Sequence, residues 1–149
     1  MMLILIPVLT LAIGLMPTSH HATGTFDVKL ASLSDTVTDP SLGRMSIDKT
    51  YHGDLEGASK GQMLTAGTAV KDSAGYVALE KVTGTLHGRR GTFILQHNAT
   101  MMRGEAQLAI VVVPDSGTDQ LVGLAGTMTV TIDGTKHSYE FEYTLPERH

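Results

Sequence analysis

The chain has 149 residues, no Cys and no Trp, and its 11 basic and 15 acidic side chains give a net charge of -4. The lack of Cys excludes disulfides, cysteine-based zinc sites and thiol nucleophiles. The mildly acidic balance disfavours a nucleic-acid partner, because phosphate binding needs clustered Lys and Arg. Since 19 residues are Thr, which favours strands, we expect one β-rich domain. We expect this domain to carry neither a cofactor nor a metal.

The first residues form a segment, Leu3 to Met16, that is apolar except for Thr10 and is broken by Pro7 and Gly14. It is too short for a stable membrane span, which needs about 20 residues. Its length suits the core of a signal peptide, although no Lys or Arg precedes it. A cleaved signal predicts a secreted or periplasmic protein, whereas a translation start at Met16 predicts a cytoplasmic one. In either case we exclude residues 1–22 from the fold, place one domain over residues 23–146 and leave residues 147–149 as a tail.

From Thr23 onward the chain consists of short segments in which apolar and polar residues alternate, separated by turn residues. This period of two predicts half-buried strands, and no segment has the pattern of a helix. We expect eight strands: Thr25 to Ala31, Arg44 to His52, Leu55 to Ala66, Tyr76 to His87, Thr92 to Met101, Gln107 to Val113, Leu121 to Ile132 and Lys136 to Leu145.

The fourth and fifth strands form a hairpin that we expect to turn at Arg89-Arg90, with Gly88 facing Gly91. In that register Val82 faces His97, and Glu80 is the diagonal neighbour of His97. The face that carries them is otherwise apolar, while the opposite face is mostly polar. Because a slip by one residue would mix the two sets, the pattern favours this pairing.

The last two strands form a second hairpin, for which Asp133-Gly134 predicts a type I′ turn with Ile132 facing Thr135. One face of this hairpin is apolar and carries His137, Tyr139 and Tyr143. The other face carries Thr, Ser, Lys and Glu.

The sixth strand differs from the others, because Leu108 to Val113 is apolar on both faces. Such a strand is expected to be covered on both sides. With no helix to cover it, we predict a homo-oligomer that forms through residues 108–113.

Eight antiparallel strands without a substantial helix avoid exposed edges by closing into a β-barrel, although a two-sheet sandwich remains the alternative. A barrel of this size is either filled by side chains or holds one small ligand. An apolar or amphipathic small molecule is therefore the expected partner.

Several stretches resemble those of a known family: Gly43 to Gly57, Gly75 to Arg89, Phe93 to His97, and Val113 to Thr118 followed by Leu124 to Met128. Over about Ala22 to Leu145 the chain resembles the bacterial domain of unknown function 3224 family. That family is similar to the allene oxide cyclase and dirigent barrels, in which hairpins like Gly84 to Phe93 recur. The resemblance implies an eight-stranded, often oligomeric barrel with a hydrophobic lumen and no established activity. No motif matches the cyclase catalytic residues, and the apolar N-terminal run departs from the usual family start.

Glu80 and His97 are the strongest candidates for a catalytic role, since they are the only strongly polar residues on their face of the hairpin. A carboxylate beside an imidazole in a lumen is able to move a proton on a bound ligand. Alternatively, the two groups are a buried, mutually satisfied pair that fixes the strand register. Candidate ligand-binding residues on the same interior are Tyr76, Phe93, His137, Tyr139 and Tyr143, for which ordinary core packing is the alternative.

Three functions remain open from the sequence. The first is a small barrel that binds an apolar or amphipathic molecule in its lumen. The second is a cofactor-free isomerase or cyclase that uses Glu80 and His97 as an acid/base pair. The third is a structural or assembly module with a packed interior.

Overall fold

The computed structural model describes residues 17–34 and 39–147. The apolar run Leu3 to Met16 and the last two residues of the predicted tail lie outside this part of the chain. The described residues form eight strands, with the following bounds: β1 Ser19–Ser32, β2 Leu42–Gly53, β3 Leu55–Gly67, β4 Ala74–Leu86, β5 Arg89–Met102, β6 Glu105–Val112, β7 Ala125–Asp133 and β8 Lys136–Thr144. Their only helical element is a short 3-10 helix, Asp119–Leu121.

Each strand pairs antiparallel with the next, and β8 pairs with β1, so that the sheet closes into an eight-stranded barrel. The all-β barrel prediction is confirmed, and the two-sheet sandwich is excluded. β1 begins four residues before the expected start of the domain, because Ser19 to Ala22 pair with β8. Ala22 is fully buried.

The predicted register of the β4–β5 hairpin was wrong by four positions. The turn lies at His87-Gly88, with Leu86 opposite Arg89, and Val82 faces Phe93 rather than His97. Both turn residues have positive φ, 43° for His87 and 77° for Gly88, as a type I′ turn requires. A turn at two arginines would need both to adopt this conformation, whereas glycine adopts it without steric cost.

The predicted register of the β7–β8 hairpin was wrong by two positions, because Ile132 faces His137. The turn lies at Gly134-Thr135, and Gly134 at its first central position has a φ of 60°, as in a type II′ turn. Asp133 pairs with Lys136 and is the last residue of β7. Both errors are even numbers of residues, so every side chain stays on its predicted face.

The two ends of the barrel differ. At one end, which we call the capped end, lie the β2–β3 and β4–β5 turns and the segment of residues 113–124. Leu121 and Leu124 of this segment are buried, and Leu121 approaches Gly91 of β5. The opposite end, which we call the open end, carries the β3–β4, β5–β6 and β7–β8 turns.

β6 is buried on its inner face through Ile110 and Val112, whereas Val111 on its outer face is 39% exposed. Coverage of that outer face by a second copy stays a prediction, which sedimentation velocity at micromolar concentration tests.

β6 and β7 share only two paired positions, Ile110 with Met128 and Val111 with Thr127. Residues 105–109 of β6 therefore have no partner on β7, and the sheet is split at the open end.

No helix within the described ranges is both long and apolar enough to cross a membrane.

Candidate functional site

A buried cluster of polar side chains lies inside the barrel, contributed by four adjacent strands. Lys49 and Tyr51 come from β2, Ser59 from β3, Glu80 from β4 and His97 from β5. All five are at most 8% exposed, and Glu80 is fully buried. They meet because each lies on the inward-facing side of its strand.

Glu80 is the centre of the cluster. Its Oε1 accepts hydrogen bonds from Lys49 Nζ, the Tyr51 hydroxyl and His97 Nε2, each at 2.9 Å. Its Oε2 accepts one from the Ser59 hydroxyl at 2.7 Å. The Lys49 ammonium also lies 4.8 Å from the centre of the Phe26 ring. Both oxygens of the carboxylate are therefore satisfied, which removes most of the cost of burying it.

These contacts decide the charge of Glu80. Burial alone would raise the pKa of its carboxyl, but the hydrogen bond from His97, the positive charge of Lys49 and the Ser59 hydroxyl together lower the pKa to about 2. Since an ionised carboxylate only accepts hydrogen bonds, Nε2 of His97 carries a proton. Burial and the negative charge of Glu80 raise the pKa of Tyr51 well above its usual value, so its phenol stays neutral.

A glycine makes room for the cluster. A Cβ placed on Gly61 of β3 would lie 2.8 Å from both Cα and Cβ of Glu80, which faces it across the strand pair. Side chains do not approach each other that closely. Glu80 therefore occupies its position because residue 61 has no side chain.

Sequence reasoning missed the contributions of Lys49, Tyr51 and Ser59 to this cluster. Lys49 shares the inward-facing side of β2 with Ile47 and Tyr51, and Ser59 lies between Gly57 and Gly61 on the inward-facing side of β3. The alternation along β2 therefore indicates that Lys49 points into the interior. This was the signal in the sequence that could have identified a counter-ion for Glu80.

A hollow of about 460 Å³ lies at the open end, where β3, β4, β5 and β6 end. Its lining includes Thr65, Tyr76, Ala99, Met101 and Leu108, which share the inward-facing sides of their strands. The stretch of β6 that has no partner on β7 borders it. Burial and the charge of Glu80 raise the pKa of Tyr76, so its hydroxyl stays neutral.

The other predicted ligand-binding residues lie elsewhere in the barrel. Phe93 is fully buried and stacks on Phe141, with 5.9 Å between ring centres. The Tyr139 hydroxyl accepts a hydrogen bond from the backbone N–H of Leu55 at 2.9 Å. Tyr143 contacts Nδ1 of His87 through its hydroxyl at 2.6 Å, and the ring of His137 lies 5.2 Å from that of Phe26.

None of Phe93, His137, Tyr139 and Tyr143 lines the hollow; of the predicted ligand-binding residues, Tyr76 alone does. The structure thus brings Glu80 and His97 together but divides the predicted ligand-binding set. Within the described ranges, no three His, Asp or Glu side chains are arranged to hold a metal ion.

Fold and site together define a class of protein: a small, closed antiparallel β-barrel with a buried ionic cluster beneath a hollow at one end. The chain belongs to the family described as protein of unknown function (DUF3224), whose model matches residues 22–143. It is similar to a crystal structure of a DUF3224 protein of unknown function from Shewanella oneidensis MR-1, with 47% identity and a TM-score of 0.83. That match covers 88% of this chain and 100% of the other. No curated protein matches the chain.

Proposed function

We propose that the protein binds one apolar or amphipathic small molecule in the hollow at the open end of the barrel. The observation that carries this proposal is the hollow itself, whose volume lies within the range of about 300 to 1,000 Å³ that is typical of ligand pockets. Its lining is mostly apolar, and Tyr76 is the lining residue that carries a phenolic hydroxyl. A ligand with one hydrogen-bond acceptor and an apolar body matches this arrangement.

The split between β6 and β7 supports the same proposal. Leu108, which lines the hollow on the stretch of β6 that has no partner on β7, is 43% exposed. Apolar side chains at the border of a hollow offer a favourable surface to an apolar molecule that enters or leaves.

The isomerase alternative is less well supported by the geometry. A general acid or base works best when its pKa lies near the working pH. The hydrogen bond from His97, the charge of Lys49 and the hydrogen bond from Ser59 instead lower the pKa of Glu80 to about 2. Glu80 and His97 are therefore better suited to act as fixed polar groups below the ligand than as a proton-transfer pair.

The proposal is tested by filling the hollow. The variant Ala99→Phe places a ring in it, and Thr129→Phe on the exposed outer face of β7 is the matched control. Binding of Nile red, a neutral apolar dye, is followed by fluorescence. We expect Ala99→Phe to weaken binding about ten-fold or more, equivalent to about 1.4 kcal/mol, and Thr129→Phe to leave it unchanged.

Native mass spectrometry of protein purified from its source then reports any retained molecule directly. If the wild type neither retains a molecule nor binds the dye at micromolar concentration, the proposal is wrong, and the packed structural module becomes the better description. If both variants bind the dye equally well, the hollow is not the site.

A further inference from the structure

The outer face of β2 to β5 carries a second concavity, separate from the hollow at the open end, with a volume of about 930 Å³. Its basic side chains are Arg44, Lys60 and Lys81. Glu80 is the only acidic residue that borders it among the residues described, and its carboxylate faces the barrel interior. The charge of this concavity is therefore opposite in sign to the net charge of the chain, which is -4.

The strand register places two of these cations against each other. Lys60 of β3 lies directly opposite Lys81 of β4, and like charges in such a pair are destabilising. Asp48 binds Lys60 at 2.8 Å on the other side, but Asp48 also faces Lys29 of β1 in the same row. The row thus holds three lysines and one aspartate, and Lys81 makes no ion pair with a described residue. A bound anion would relieve this repulsion.

Apolar side chains occupy the next rows of the same face. Leu79 lies two residues from Lys81 along β4, and Val77 lies two residues further, opposite Leu64 of β3. These three side chains are 50% to 55% exposed. Two residues of a strand span about 6.6 Å, so a flat apolar body of about 10 Å fits beside the lysines. Contiguous exposed apolar side chains of this kind mark interaction sites.

From this juxtaposition we infer that the outer concavity binds a small organic anion: a carboxylate or sulfonate held by Lys81 and Lys60, attached to an aromatic or alicyclic body that lies on Leu79, Val77 and Leu64. Charge selects the anionic end of the molecule, and burial of apolar surface holds its body. The site is independent of the ligand proposed for the open end.

Two dyes of nearly the same shape test the inference. Anilinonaphthalene sulfonate is anionic, and N-phenylnaphthylamine is its uncharged parent. Fluorescence titration is expected to show that Lys81→Gln weakens binding of the sulfonate about five-fold, the upper range for an exposed charge pair. The same change should leave the uncharged dye unaffected. Lys136→Gln, an exposed lysine at the β7–β8 turn, is the matched control and should alter neither dye.

Two further measurements separate this site from the hollow. Leu79→Ser should weaken both dyes here, and raising the salt from about 0.05 to about 0.5 M should weaken only the sulfonate. If Lys81→Gln changes sulfonate binding no more than Lys136→Gln does, the inference is wrong. If Ala99→Phe abolishes sulfonate binding while Lys81→Gln does not, the anion binds in the hollow. That result would overturn the outer site and leave the proposed function standing.

Discussion

The buried carboxylate of Glu80 gives the most direct test of the cluster. Glu80→Gln keeps the shape of the side chain but removes its charge. The Lys49 ammonium, whose side chain is 7% exposed, would then be left without a counter-ion. Breaking a buried ion pair in this way costs about 3 to 5 kcal/mol. We expect the free energy of unfolding to fall by this amount at pH 7.

The pH dependence of stability gives an independent magnitude. Lowering the pKa of Glu80 from 4.5 to about 2 corresponds to about 3 kcal/mol of stabilisation. Because the pKa in the folded state lies below the value in the unfolded state, this contribution is complete above about pH 4.5. It is lost as the pH falls towards 2. The difference in unfolding free energy between wild type and Glu80→Gln should therefore shrink between pH 5 and pH 2.

Urea unfolding followed by far-ultraviolet circular dichroism measures both quantities without relying on tryptophan, which the chain lacks. Glu140→Gln, an exposed glutamate on the outer face of β8, is the control, and its effect should stay within about 0.5 kcal/mol. Replacing Lys49 by Met in the Glu80→Gln background should restore part of the lost stability, because it removes the unpaired charge. A loss below about 1 kcal/mol for Glu80→Gln, or a loss that does not vary with pH, would refute the reasoning.

Two further predictions concern packing and use the same unfolding assay. Gly57→Ala should lower the free energy of unfolding by about 3 kcal/mol, because its Cβ would lie 2.3 Å from the carbonyl oxygen of Thr83. Gly88→Ala should lower it by only about 1 kcal/mol, because the new Cβ meets no atom within 4 Å and the strain comes only from the φ of 77°. Leu121→Ala, at a fully buried position of the capping segment, should cost about 2 to 5 kcal/mol, whereas Val122→Ala at a 62% exposed neighbour should stay within about 0.5 kcal/mol. Equal effects within either pair would contradict the packing described for the capped end.

Alternation along the strands was sufficient to predict the barrel and the apolar, inward-facing sides of β4 and β5, which carry Glu80 and His97. Glu80 and His97 lie within hydrogen-bond distance although the predicted pairing between their strands was wrong by four positions. In the predicted register Glu80 is the diagonal neighbour of His97 on one side, and in the structure it is the diagonal neighbour on the other. An even error in register moves partners along the strands without changing the face they share.

The alternation of apolar and polar residues gave no information on the height of each side chain, that is, its position along the barrel axis. Phe93, Tyr139 and Tyr143 point inward as expected, but they lie in the tightly packed part of the barrel and not at its open end. Height depends on where each hairpin turns. A preference for glycine at positive φ would have moved the first turn to His87-Gly88, which sets Phe93 opposite Val82 and near the capped end. In the second hairpin, Asp133-Gly134 and Gly134-Thr135 both place a glycine in the turn, so the same preference does not distinguish the predicted register from the observed one. Turn chemistry therefore carried the missing information for the first hairpin alone.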